Sequence, residues 1–297
     1  MTIIELLDGG TGEELFRLGV PDDRKTWSAY ALTHSEFHHT VVEVHRSYIQ
    51  AGAAFITCNN YMVTPAGHFS RDEIAVHCKT AGELAVEAVR GTDHVSTKAA
   101  KPRICGSLPP LSESYRFDLV LPEDQAMPLY TLIGEALSPY VDVFLAETMS
   151  SIAEARMAVR SVVHLAKPIM VSFTLGHDGA LRSGEAAVDA LRMLEQFQDR
   201  GVNAILFNCC EPESITAALR TLPPTSLRLG AYANALTPVP EGWVMDGNAA
   251  QPFRADLSPP EYLKHVNNWI SLGVTLVGGC CAVGPGHIDA IRSHVGH

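Results

Sequence analysis

The chain has 297 residues, 46% hydrophobic and 19% charged, with a formal net charge of −11 at pH 7. That composition supports a large core and argues against disorder. The acidic balance argues against a nucleic-acid footprint and suits a small cationic substrate. The N-terminus lacks a basic, cleavable leader pattern, and no apolar run approaches the roughly 20 residues of a membrane span. With seven cysteines, the expectation is a cytoplasmic protein without membrane contact, whose clustered cysteines bind metal or do chemistry rather than form disulfides.

In chain order, Ile3 to Leu7 reads as a short buried strand ended by Asp8-Gly9-Gly10-Thr11-Gly12. A helix is expected over Ser35 to Ala51, a second strand over Ala53 to Thr57, and a helix over Ser70 to Arg90 with Ile74, Ala81, Leu84, Ala85 and Ala88 on one face. Arg103 to Ser107 forms a third strand, stopped by Pro109-Pro110. A loop to Pro122 and a helix over Glu123 to Tyr140 follow. The fourth strand, Val141 to Ala146, ends in Glu147-Thr148 and leads into a helix reaching Ala166. Pro168 to Thr174 is the fifth strand, Gly176 to Gly184 its loop, and Glu185 to Arg200 the next helix. The sixth strand runs from Ala204 to Asn208 and the seventh from Arg228 to Tyr232. A proline-bearing loop, Ala233 to Leu257, and a helix over Pro259 to Leu272 precede the last strand, Gly273 to Val277. Regular strand-helix alternation argues for parallel pairing, and eight units suggest a single (β/α)8 barrel over 1–297, which fits the usual size of about 250 residues plus insertions.

In such a barrel the chemistry sits at the carboxyl ends of the strands. Those ends carry Asp8, Asn59 and Asn60, Ser107, Glu147, Thr174, Asn208 with Cys209, Tyr232 with Asn234, and Cys280 with Cys281. Two strands therefore end in adjacent cysteines, Cys209-Cys210 and, after Gly278-Gly279, Cys280-Cys281. Thiolates suit zinc in tetrahedral geometry, and three of them leave one position open, the mark of a catalytic site. Cys209, which follows its strand immediately, is the better third ligand beside Cys280 and Cys281. Cys210 is assigned a structural role, Cys58, Cys78 and Cys105 are read as small buried hydrophobes, and His34, His38, His39 and His45 as a surface face. Asp8 and Glu147 are carboxylates placed to hold a cationic group, to act as acid and base, or simply to accept hydrogen bonds from nearby loop amides. The turn after Asp8 lacks the lysine of a P-loop.

These residues resemble the zinc-dependent homocysteine S-methyltransferases. The resemblance rests on Asp8-Gly9-Gly10-Thr11-Gly12, Ala146-Glu147-Thr148, Val171-Ser172-Phe173-Thr174, Asn208-Cys209, Tyr232-Ala233-Asn234 and Gly278-Gly279-Cys280-Cys281, which run in the family's order over nearly the whole chain. It implies a (β/α)8 barrel with Cys209, Cys280 and Cys281 as zinc ligands. Asp8 and Glu147 would be the functional carboxylates at the amino-acid end of homocysteine, with Gly9, Thr11, Tyr232 and Phe173 also contacting substrate and Asn234 near the metal. The methyl donor would be a small cation, with Tyr61, Tyr115, Phe173 and Tyr232 available as aromatic faces.

Thr148 stands where betaine enzymes of the family carry an aromatic residue, which favours a sulfonium donor such as S-methylmethionine or dimethylsulfoniopropionate. Gly106-Ser107-Leu108-Pro109-Pro110, Ala233 and Cys58-Asn59-Asn60 depart from the family pattern on the donor side. The alternatives are a betaine-dependent enzyme of methionine biosynthesis, a homocysteine-activating subunit working with a separate methyl carrier, and a non-catalytic zinc- or thiol-binding barrel. A divalent-metal aldolase or lyase would favour histidine and carboxylate ligands. Low charge content and the loop at Ala233 to Leu257 permit a homo-oligomer.

Overall fold

The computed structural model describes residues 3–92, 101–240 and 251–296. Its strands are β1 (Glu5–Leu6), β2 (Phe55–Thr57), β3 (Arg103–Leu108), β4 (Val143–Met149), β5 (Ile169–Phe173), β6 (Val202–Asn208), β7 (Arg228–Tyr232) and β8 (Val274–Val277). They form one parallel sheet in the order β1-β8-β7-β6-β5-β4-β3-β2. The amide of Ala54 donates to the carbonyl of Leu6 at 2.8 Å, joining the two ends of that order and bringing the sheet to a nearly closed (β/α)8 barrel. Among the described residues no helix is long and apolar enough to cross a membrane.

Period-two alternation divides the strand side chains between two layers. Leu7, Phe55, Cys105, Val143, Leu145, Met170, Ala204, Leu206, Tyr232 and Leu276 fill the barrel interior. Ile56, Phe144, Ala146, Val171, Phe173, Ile205, Phe207 and Val277 face outward into the larger core beneath the helices. At the amino-terminal end of the barrel Glu5 pairs with Arg103 and with Arg228 (2.6 Å), and the Arg103 guanidinium lies 3.8 Å over the Phe55 ring. The polar mouth is at the opposite end.

The helices are α1 (Thr11–Arg17), α2 (Tyr30–Thr33), α3 (His38–Ala51), α4 (Arg71–Arg90), α5 (Glu123–Leu137), α6 (Ile152–Val162), α7 (Ala187–Glu195), α8 (Pro212–Leu219), α9 (Pro259–Ser271) and α10 (Pro285–Val295). Of these, α1, α2, α8 and α10 were not foreseen from the sequence. The last two begin with proline at the first helical position, where a missing N–H costs nothing. His45 departs from the expected surface face: α3 turns it fully into the core, where burial pushes its pKa down to about 4 and keeps it neutral. Residues 241–250 of the expected Ala233–Leu257 loop lie outside the described residues.

One irregularity bears directly on the site. β4 does not stop at Ala146 but continues through Glu147-Thr148 to Met149, with a register shift against β5 between Ala146 and Met149. Thr148 there takes a left-handed backbone conformation, φ +59°. Such bulges bend a strand and re-aim the neighbouring side chains.

Candidate functional site

Cys209, Cys280 and Cys281 converge at the barrel mouth, with their three sulfurs within 4.8 Å of one another and Cys209 Sγ 3.8 Å from Cys281 Sγ. Four ligands in a tetrahedron at the usual zinc–sulfur distance stand about 3.8 Å apart, so the spacing fits such an ion. Backbone geometry produces the convergence. Cys209 leaves β6 with φ +51°, and Ala282, just after the cysteine pair, has φ +65°. The Cys280 amide donates to the Ala233 carbonyl (2.9 Å), the Ala235 amide to the Cys281 carbonyl (2.9 Å), and the Gly279 amide to the Asp8 carbonyl (2.9 Å). A Cβ on Gly279 would collide with the side chain of Val283, so the tight turn requires glycine.

The three thiols share charge unequally. Hydrogen bonds from Cys280 and Cys281 hold the Cys209 thiol well below its ordinary range, and the Tyr115 hydroxyl adds a contact at 3.0 Å. Cys280 and Cys281 shift upward in return, because each gives up hydrogen-bonding capacity to Cys209. Without an ion, Cys209 is therefore the most readily ionised of the three.

The sulfurs close one end of a cavity of about 690 Å³, counting its open mouth. Asp8 and Glu147 stand in its wall. Asp8 accepts from the amide (2.6 Å) and the hydroxyl (3.1 Å) of Thr57, and burial pushes its pKa up to about 7. Glu147 accepts from the Ser107 hydroxyl inside the barrel, and burial pushes it up to about 8. Two buried carboxyls with no salt-bridge partner among the described residues are poised to receive a cation. Gly9, Thr11, Tyr61, Tyr115, Tyr232 and Asn59 line the same cavity, as does Trp27, whose ring meets Tyr61 edge-on at 6.3 Å.

Not every expected residue reaches this cavity. Phe173 is fully buried and faces outward into the core under the helices, because it shares the parity of Val171 rather than that of Ser172. Asn234 lines a smaller neighbouring cavity of about 300 Å³ that also includes Cys209; its Oδ1 accepts from the Leu236 amide at 3.4 Å. Cys210 lines that second cavity, its thiol pushed up to about 12 by burial. Cys58 does line the first cavity, but burial holds its thiol far above the ordinary range.

Sequence reasoning missed one group, Glu13, and named Asn208 at its strand end without foreseeing its role. Glu13, in the first turn of α1, is half-buried with its carboxyl beside Cys281, and desolvation pushes that carboxyl up to about 7. Its only signal was a carboxylate three residues beyond Gly10, in a helix too short to show a period. Asn208 acts as a clamp: its Oδ1 accepts from the Thr148 amide (3.0 Å) and the Ser172 hydroxyl (2.7 Å), and its Nδ2 donates to Thr148 Oγ1 (2.9 Å).

A family model described as homocysteine S-methyltransferase matches residues 5–295. The homocysteine S-methyltransferase of Escherichia coli K12 is 28% identical over 306 aligned residues, covering 98% of this chain and 94% of that protein. Homocysteine S-methyltransferase YbgG of Bacillus subtilis 168 is 25% identical over 305, covering 97% and 93%. The crystal structure of the metallated form of the E. coli homocysteine methyltransferase MmuM superimposes with a TM-score of 0.82 at 24% identity, over 99% of this chain and 96% of that one, which establishes a common fold.

Proposed function

The chain belongs to the homocysteine S-methyltransferase family, a family of methyltransferase enzymes, and we propose that it moves a methyl group from a small sulfonium donor to the sulfur of homocysteine, giving methionine. The observation that carries this reading is the meeting of three thiols and two buried carboxyls on one cavity. In the proposal Cys209, Cys280 and Cys281 hold zinc, which supplies Lewis acidity that lowers the pKa of a coordinating thiol, ordinarily near 8.5.

The chain's own groups do the rest. Asp8, fixed by Thr57, and Glu147, fixed by Ser107, receive the substrate ammonium. Its charge draws both carboxyls into their ionised forms, and their burial keeps water from screening the contact. Gly9 and Thr11 complete the wall around the amino-acid end. The homocysteine sulfur, as a thiolate once its proton has passed to solvent, then forms a bond to the donor methyl as the bond from that methyl to the donor sulfur breaks. The bonding pair stays on the donor, which leaves as a neutral thioether. Because two charges disappear in this step, positioning and a desolvated site contribute more than proton transfer. Trp27, Tyr61 and Tyr115 offer ring faces to the cation. Thr148, small where betaine enzymes carry an aromatic residue, supports a sulfonium over betaine.

The test is methionine formation by zinc-loaded protein from homocysteine with S-methylmethionine, dimethylsulfoniopropionate or betaine. Methionine from a sulfonium alone, abolished by a chelator, is expected. Methionine from betaine would overturn the reading of Thr148. None from any donor, with zinc bound, would point to a separate methyl carrier or to a non-catalytic barrel.

A further inference from the structure

Four sulfurs around one zinc stand about 3.8 Å apart, so a methyl donor brought to the sulfur of homocysteine has the three cysteine thiolates close by. Cys209 is the one most at risk. Tyr115, one of the rings offered to the donor cation, is also the residue whose hydroxyl lies 3.0 Å from the Cys209 sulfur. Cys280 has the Asn208 side-chain amide 4.0 Å away, too far for a strong contact. The Tyr115 contact is enforced from several sides. Tyr115 has φ +68°, a backbone conformation that a bulky residue adopts only when its surroundings impose it. Ser114 before it is bonded to the Tyr61 hydroxyl at 2.9 Å, and Arg116 after it engages both oxygens of Asp118 at 2.8 and 2.6 Å. The Arg182 guanidinium lies 5.2 Å over the Tyr115 ring, where a cation draws charge from the ring and makes the hydroxyl a stronger donor. Arg182 is itself fixed, by the antiparallel bridge of Leu175 and Leu181 and by the bond from the Ser183 amide to the Ser150 carbonyl at 3.1 Å.

We propose that Tyr115 is a specificity-determining residue that keeps the methyl group off Cys209: its hydroxyl donates to the Cys209 thiolate and occupies a lone pair that would otherwise attack the donor. The inference rests on the methyl-transfer reading above and deepens it. In the side reaction that Tyr115 suppresses, Cys209 Sγ forms a bond to the donor methyl as the bond from that methyl to the donor sulfur breaks. The bonding pair stays on the donor, which leaves as a neutral thioether. Cys209 becomes a neutral S-methylcysteine and is lost as a thiolate ligand. A hydrogen bond to the thiolate stabilises it before attack and weakens as the sulfur loses its charge, which slows the attack by about 10- to 100-fold.

The test uses iodomethane, a methylating reagent that needs no recognition, on zinc-loaded wild type and Tyr115→Phe without homocysteine. Peptide mapping by mass spectrometry follows the methyl group on each cysteine, and a chromogenic chelator follows released zinc. Tyr115→Phe keeps the ring, and its Cys209 should be methylated about 10- to 100-fold faster than in the wild type, with zinc released in step. The rates at Cys280 and Cys281 should move far less. Arg182→Gln, which leaves the hydroxyl in place, should give a smaller rise at Cys209. An unchanged Cys209 rate in Tyr115→Phe, or an equal rise at all three cysteines, would overturn the assignment. If Tyr115→Phe does not fold, the wild type decides: Cys209 reacting last of the three upholds the shielding, and Cys209 reacting first removes it. A wild type that forms no methionine from any donor would bring down the methyl-transfer reading alone. The iodomethane rates then decide on Tyr115 by themselves, a faster Cys209 in Tyr115→Phe upholding its role and equal rates removing it.

Discussion

The side-chain amide of Asn208 holds Thr148 from two sides, accepting from its amide at 3.0 Å and donating to its hydroxyl at 2.9 Å. Thr148 is β-branched and sits at φ +59°, a conformation that costs on the order of 1–3 kcal/mol and persists only when its surroundings enforce it. Asn208 thus links the Glu147-Thr148 bulge to Cys209, its own neighbour in sequence. Replacing it by alanine leaves the buried Thr148 and Ser172 groups unpaired. Asn208→Ala should cost about 2–4 kcal/mol in chemical denaturation and raise the homocysteine KM. A stability unchanged from wild type would show that the bulge holds without the clamp.

The buried carboxyls should act on substrate and not on metal. Glu147→Ala is expected to raise the homocysteine KM by roughly 10- to 100-fold while zinc content, measured by elemental analysis, stays at the wild-type level. Loss of zinc in this variant would mean that Glu147 supports the thiols instead.

The same carboxyls give the metal-free protein a pH-dependent stability. Asp8 is raised from 3.8 to about 7 and Glu147 from 4.5 to about 8, so the folded chain keeps protons that the unfolded chain has released. Their contribution is complete below about pH 4 and is lost as the pH rises through about 7 to 8. Thermal denaturation of metal-free protein should therefore show a Tm that falls between about pH 5 and about pH 8.5. The Asp8→Asn, Glu147→Gln double variant should show a shallower fall. A wild-type slope retained in full by the double variant would assign the effect to other groups.

The two cysteine pairs are not equivalent. Cys209→Ser and Cys280→Ser should each lower bound zinc and Tm together. Cys210→Ser, whose sulfur lies on the neighbouring cavity, should keep one zinc per chain and lose only about 1–2 kcal/mol for placing a hydroxyl in a buried site. Zinc lost equally from all three would contradict the distinction.

Much of this site was legible before any coordinates. Asp8, Glu147, Cys209 and Cys280 follow apolar runs, and in a parallel barrel the ends of such runs meet at one mouth. Parity along a strand was not legible. Ile169–Phe173 is buried on both faces, so its sequence carries no alternation to say that Phe173 points outward while Ser172 points in. Glu13 sits in a seven-residue helix, where no hydrophobic period exists. α8 spans only eight residues and opens on a proline, which reads as loop punctuation. His45 was misjudged because α3 is buried on more than one face, where a histidine can be neutral and internal.

The central claim is that three cysteines of this chain hold zinc with one position left for the sulfur of homocysteine. X-ray absorption at the zinc edge, recorded before and after adding homocysteine, tests it most directly. The expected result is three sulfurs at about 2.3 Å with one lighter neighbour, becoming four sulfurs when homocysteine binds. A shell of four sulfurs from the outset, or one that does not change with homocysteine, would contradict it.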